Sequence, residues 1–318
     1  MKVLLSAALL GLAWFTAANA AGTLVSLVLA RATPDVVAAD AWRARRLLAI
    51  RFLPLLFSAA VAGALFAPAH LQLEPPDASE RFGLVIYALA AAGVVPLLRA
   101  CWRLARVARA SFLLASYANQ QSSPATAPWI EMPVLPGIAL AGVLRPRVLI
   151  GSTAKQALTP AELEVAIAHE RAHERAHDNL TRVLMLCAPD FFGFTASARR
   201  IERLWEGEAE CLADARAVGG NPARATRLAS AMIKVARLAS GHSHACAPGW
   251  SPFHHAALLE TRVRLLIGRD DRIDPRHTSE RGLRYLALTI AAVLLAAWLA
   301  GVPHDLHRVT ERLISLLP

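Results

Sequence analysis

Thr159-Pro160-Ala161-Glu162-Leu163-Glu164-Val165-Ala166-Ile167-Ala168-His169-Glu170-Arg171-Ala172-His173 opens as a helix start and closes as a metal-binding pattern. Thr159 and Glu162 have the spacing of a capping box, and Pro160 takes the first helical position, where its missing N–H leaves no bond unmade. Leu163, Val165, Ala166 and Ile167 then supply the buried side. His169 and His173 stand four apart, so both imidazoles rise from one helical face and can aim at a single zinc ion. Glu170 follows the first histidine at once and is placed to act as general base toward water, whose pKa a zinc ion lowers to about 7. Taken alone, a five-residue pattern also describes a solvated helix with an Arg- and His-rich face.

The same run holds a second, overlapping motif, His173-Glu174-x-x-His177. Spacing does not choose between the two. The helix start at Pro160 puts the first register in mid-helix and the second toward a fraying end beside Asp178-Asn179, which favours the first. A catalytic zinc takes three protein ligands and keeps one position open. The long metzincin motif is excluded, because Arg175 and Asn179 stand where it needs Gly and His. The helix expected over Ala198–Val218, stopped by Gly219-Gly220, carries Glu206, Glu208, Glu210 and Asp214. Of these, Glu210 is the expected third ligand in preference to Glu206, and Asp214, one turn on, is spaced to steady a histidine. The bland reading of that helix is an acidic face neutralised by Arg199, Arg200 and Arg203.

The whole chain has 318 residues, 55% of them hydrophobic and 18% charged, with a mean hydropathy of +0.40. That balance excludes a disordered chain, and with four cysteines in 318 residues and no CxxC pair it excludes a disulfide scaffold,. The net charge of +10 could serve nucleic acid,. The apolar excess favours a lipid bilayer with basic inner flanks instead, and no direct nucleic-acid partner.

Four apolar runs have spanning length: 3–30, 52–69, 82–98 and 285–302,. The first also resembles a signal peptide, with Ala18-Asn19-Ala20 as a cleavage site, but cleavage would leave residues 21–30 too short to span, so an uncleaved helix is expected. Arg31, Arg43, Arg45, Arg46 and Arg51 fill the first loop, whereas Glu74, Asp77 and Glu80 fill the second. Arg99, Arg103, Arg106 and Arg109 follow the third run, and Arg281 and Arg284 precede the fourth. The positive-inside rule then places the region between runs three and four in the cytoplasm of a multi-pass inner-membrane protein. The expected layout is a membrane region at 1–125, a cytoplasmic α+β zinc peptidase domain at 126–281, and a fourth span with a short external tail at 282–318. Short strands are expected at Ile130–Leu135, Ile138–Ala141 and Arg147–Ile150.

Leu140-Ala141-Gly142-Val143-Leu144-Arg145-Pro146-Arg147-Val148-Leu149-Ile150, then His169-Glu170-x-x-His173 with Asp178-Asn179-Leu180, resembles the BlaR/MecR family of integral membrane metallopeptidases. Glu210-Cys211-Leu212-Ala213-Asp214 is similar to that family's third-ligand segment, and Glu260-Thr261-Arg262-Val263-Arg264-Leu265-Leu266 to its closing helix. The resemblance implies a gluzincin-like Zn2+ peptidase, an Asp nine positions after the first ligand (here Asp178), and a cytoplasmic winged-helix repressor of the BlaI/MecI type as substrate in signal transduction. Members that sense β-lactams carry an external penicillin-binding domain after the fourth span. Here Pro303–Pro318 are too few for one, so direct acylation of this chain is not expected. Two other readings share the motifs: a quality-control zinc protease of the heat-shock type, and a catalytically silent membrane receptor, which would not need Glu170. An oxyanion donor is sought among the few remaining polar groups. Tyr87, Tyr117 and Tyr285 lie in or beside spans, which leaves a His or Arg before Glu260, where His242, His244, His254 and His255 stand. Trp205 and Phe191-Phe192 are expected to pack in a core.

Overall fold

The structure is a computed structural model that describes residues 2–73, 82–120, 129–133, 135, 137–239, 250–252, 258–268 and 295–316. Three helical rods form the membrane part. They are α1 (Lys2–Arg31); α2 (Ala41–Ser58), continued by a π-helical stretch (Ala59–Phe66) and α3 (Ala67–Leu73); and α4 (Leu84–Gln120). Leu4–Arg31, Ala41–Leu73 and Leu84–Leu113 are each long and apolar enough to cross a membrane. The second is longer at both ends than the run 52–69. The third continues past Leu98, and Arg99 and Arg103 on it donate to the Gly193 and Leu186 carbonyls. The fourth expected span, 285–302, lies mostly outside the described residues.

Close approach holds the rods together. A Cβ on Gly22 of α1 would stand 2.8 Å from Pro54 Cα of α2, so only glycine lets these backbones meet. Pro54 has no N–H to offer Ile50, and Ser26 of α1 donates instead, Oγ to the Ile50 carbonyl at 2.9 Å. A neighbouring helix thus satisfies the acceptor that an internal proline orphans. The C-terminal residues, expected as a plain tail, form an amphipathic helix, α11 (Val302–Leu316). It packs Leu306 and Ile314 against Leu10, Phe66 and Ile86, and Thr310 Oγ1 accepts from Trp14 Nε1 at 3.0 Å.

The part that follows α4 carries a four-stranded sheet in the order β1-β3-β2-β4. The strands are β1 (Ile130–Glu131), β2 (Ile138–Ala141), β3 (Arg147–Ile150) and β4 (Trp250–Pro252). β1 runs parallel to β3, while β2 is antiparallel to both β3 and β4. The first strand stops short of the expected Leu135: Met132 N still donates to the Ile150 carbonyl at 2.9 Å, but Pro133 has no N–H to carry the ladder on. Helices α5 (Ser152–Ala157), α6 (Pro160–Ala176), α7 (Asp178–Cys187), α8 (Ala196–Val218), α9 (Pro222–Ala239) and α10 (Leu259–Ile267) complete it.

The capping box at Thr159–Glu162 forms in both directions. Val165 and Ala166 of α6 pack with Ile138, Leu140, Val148 and Ile150 of the sheet, with Ala217 and Val218 of α8, and with Leu228, Met232 and Val235 of α9. Each fully buried Val, Leu, Ile or Met among them contributes about 1.5–3 kcal/mol, and together they fix α6 against α8. A second core joins Leu47 and Ile50 of α2 to Phe192, Ile201, Leu204 and Trp205. Trp205 and Phe192 are packed as expected, and this core ties the three rods to the part that follows them.

Candidate metal centre

Two helices bring the centre together. α6 carries His169 and His173 on its inner face, and their rings meet edge to face with centroids 4.7 Å apart. α8 crosses them with Glu210. The Nε2 atoms of the two histidines are 3.1 Å apart, and Glu210 Oε2 lies 3.4 Å from the first and 3.5 Å from the second. All three residues are buried.

Each histidine is gripped from behind. Asp214 Oδ1 lies 2.9 Å from His169 Nδ1, and Asp178 Oδ2 lies 2.6 Å from His173 Nδ1. A carboxylate at Nδ1 keeps the proton there and leaves the Nε2 lone pair facing inward, the tautomer a metal ligand needs. One turn separates Glu210 from Asp214 on α8, so one helix supplies both a carboxylate at the centre and a carboxylate behind it.

Two arginines complete the surroundings. Arg262 of α10 is buried and grips Asp214 with Nε and Nη2, each at 2.7 Å, while its Nη1 stands 3.1 Å from Glu210 Oε2. Arg182 of α7 donates from Nη2 to Glu210 Oε1 at 3.2 Å. Sequence reasoning assigned no role to Arg182 and met Arg262 only within a family-like segment. The signal that would have found Arg182 is its place one turn after Asp178, but using it required knowing that the chain turns at His177.

That turn also separates the two overlapping motifs. α6 ends at Ala176, and His177 adopts a left-handed conformation at φ 55°. His177 is exposed and Glu174 half-buried, so the second register has one histidine on the helix and one off it. Glu206 is half-buried and stands outside the converged group. Glu208 points the opposite way from Glu210. It accepts from Ala38 N at 3.1 Å and Asp40 N at 2.9 Å and pairs with Arg43 at 2.9 Å, so it fastens the α1–α2 loop to α8. Beside it a Cβ on Gly207 would meet Val37 Cγ2 at 2.8 Å. His242, His244, His254 and His255 lie outside the described residues.

Glu170 differs from every other acid here. It is fully buried, and neither carboxylate oxygen has a hydrogen-bond partner. Burial raises its pKa, against the pull of His169 and His173. Burial also works to raise Glu210, but His173 and Arg262 hold it well below the ordinary carboxylate range. Two acids one step from the same histidines are thus pushed in opposite directions, the pattern of one group that handles a proton and one that stays ionised. Before an ion binds, burial works to lower His173, but Glu210 and Asp178 outweigh it and raise it to about 10, so a metal binding at its Nε2 displaces a proton there,.

Two imidazoles and one carboxylate with ligand atoms within 4.8 Å of one another suit a divalent ion of the zinc type, and among the described residues this is the one such group,. A family model described as BlaR1 peptidase M56 matches residues 84–266, from the start of α4 to α10. The chain belongs to the BlaR1 peptidase M56 family. No curated protein and no solved structure matches it. As an M56 peptidase with three apolar helices of spanning length, it is a membrane-associated metallopeptidase of BlaR1-type signalling. The matched stretch contains both helices of the centre and the α10 segment that carries Arg262.

Proposed function

We propose that this M56 peptidase is a zinc endopeptidase that cuts a cytoplasmic protein, a winged-helix repressor of the BlaI/MecI type, in response to a signal at the membrane. One observation carries the chemistry: a buried, unpartnered Glu170 carboxylate beside the converged His169, His173 and Glu210. A buried acid without hydrogen bonds costs several kcal/mol, so it persists where it does a task.

In this reading His169, His173 and Glu210 hold zinc, which when bound supplies a Lewis acid that lets water lose a proton near neutral pH. Glu170 accepts that proton on a carboxylate oxygen as the water oxygen bonds to the scissile carbonyl carbon. Glu170 then hands the proton to the departing amide nitrogen, so the carbon–nitrogen bond breaks to give a carboxylate and an amine. Asp214 and Asp178 hold the two Nδ1 protons throughout. Arg262 ties Asp214 and Glu210 together, so α10 braces a ligand and the group behind a ligand.

The arginine-rich ends of the spans supply the orientation. Arg51, Arg99 and Arg103 bond directly to the peptidase part, and positive residues mark the cytoplasmic side. The reading therefore keeps four spans, three at 1–125 and the fourth at 282–318, an inner-membrane location, and a cytoplasmic domain at 126–281. The test compares cells making the wild type with cells making Glu170→Gln under the same inducing conditions. A repressor shortened only in the first supports the proposal; the same shortening in both contradicts it.

A further inference from the structure

The two oxygens of Glu210 face different neighbours. Oε2 turns to the two histidine Nε2 atoms, at 3.4 and 3.5 Å, and Oε1 turns away to Arg182 Nη2 at 3.2 Å. Arg182 is not held by Glu210 alone. Its Nη1 donates to Asn179 Oδ1 at 3.4 Å, and its guanidinium carbon lies 5.9 Å from the centre of the Trp205 ring. Asn179 is fixed in turn, because its Nδ2 donates to the Leu140 carbonyl at 3.1 Å and the Gly142 carbonyl at 2.9 Å. A continuous path of side chains therefore runs from the end of β2 through Asn179 and Arg182 to one oxygen of Glu210.

We propose that Arg182 is a positioning residue that fixes the rotation of the Glu210 carboxylate, so that Oε2 alone is presented to the metal and Oε1 is withheld. This rests on the zinc-site reading above and adds a residue to it. Arg262 does not do this work: it is buried, spends two nitrogens on Asp214, and reaches Glu210 on Oε2, the same oxygen that faces the histidines. Arg182 holds the far oxygen, Oε1, at 3.2 Å. A guanidinium fork suits the task, because its two terminal nitrogens can engage Asn179 and Glu210 at once; a lysine has one nitrogen and cannot hold that plane.

The experiment uses the full-length protein in detergent, stripped of metal and titrated with zinc against a chelator of known affinity. Arg182→Gln and Arg182→Lys are compared with the wild type, and X-ray absorption counts the oxygen atoms around bound zinc. Arg182→Gln is expected to weaken zinc binding by about 10–100-fold, as loss of such outer contacts does, and to add an oxygen to the zinc shell as Oε1 becomes free to approach. Arg182→Lys, which keeps the charge and the fold but loses the fork, is expected to fall between the two in affinity. Should Arg182→Gln not fold, a weakened Arg182→Lys still supports the inference. Wild-type affinity with an unchanged zinc shell in whichever of the two variants folds overturns it. Wild-type protein that takes up no zinc contradicts the metallopeptidase reading instead, so the two failures are distinguishable.

Discussion

Two of the places where the described residues bury charge, the junction with the spans and the metal centre, are built differently. At the junction between spans and peptidase part, Arg51 of α2 has no exposed surface. Its Nε meets Glu202 at 2.6 Å, its Nη1 meets Asp190 at 2.8 Å, and its Nη2 donates to the Met185 carbonyl. The segment it grips is also held by Arg99 on the Gly193 carbonyl at 2.6 Å and by Arg103 on the Leu186 carbonyl at 2.7 Å. Asn19 of α1 accepts from Phe191 N there at 2.9 Å. Each of the three rods thus holds the link between α7 and α8, and all three nitrogens of Arg51 are used. At the metal centre, both oxygens of Glu170 are left without a hydrogen bond. A satisfied cluster fixes a shape, and an unsatisfied one is kept for chemistry. The contrast teaches which buried charges to treat as structure and which as function.

The largest expected effect lies at the junction. Arg51→Met strands Asp190 in the interior, and breaking one side of a buried ion pair costs about 3–5 kcal/mol. Denaturant unfolding in detergent should show that loss; a change below about 1 kcal/mol would mean the cluster does not hold the two parts together.

A smaller effect is expected at the centre. Glu210→Ala should weaken zinc binding by at least about 10–100-fold, the loss seen when only outer contacts are removed, while Glu206→Ala leaves it unchanged. Metal analysis after dialysis reads both; zinc lost from Glu206→Ala and kept in Glu210→Ala would move the third ligand.

Acid stability tests a satisfied acid away from the centre. Burial alone would raise Glu162, but Lys234, Ser230, and the Thr159 backbone and hydroxyl all donate to it and bring it down to about 2. A carboxyl lowered when folded stabilises above its unfolded pKa of about 4.3 and loses that contribution as the pH falls toward 2. Glu162→Gln should therefore be less stable than wild type by about 1 kcal/mol at pH 7, and the deficit should shrink below pH of about 4. A deficit independent of pH would show that the charge contributes nothing.

The smallest effect is none. His177→Ala and Glu174→Ala should keep zinc and activity, since His177 is exposed beyond the helix end. Loss of zinc from His177→Ala would show that the second register binds it.

Much of this was legible in the chain. Thr159, Pro160 and Glu162 announced the start of α6, and helical spacing brought His169 to His173 without any tertiary knowledge. Gly219-Gly220 announced the end of α8 at Val218, and Glu210 and Asp214 share a face because they are one turn apart. What stayed hidden depends on non-local geometry. No glycine marks the turn at His177, which re-aims α7 and sends Arg182 to Glu210. Glu208, equal to Glu210 in composition, is a loop anchor because residues 198–218 rotate it to the opposite face, toward Ala38 and Asp40. Nor does Arg51, one arginine among five in its stretch, differ locally from those that meet solvent or lipid headgroups.

The most direct test of a Glu170 kept unsatisfied for proton transfer is a single substitution that preserves its size. Glu170→Gln, purified in parallel with the wild type, should bind zinc to the same extent and fold at least as stably while peptide hydrolysis falls by at least about 100-fold, the lower end of general acid–base contributions. Hydrolysis within a few-fold of wild type at equal zinc content would contradict the role assigned to Glu170.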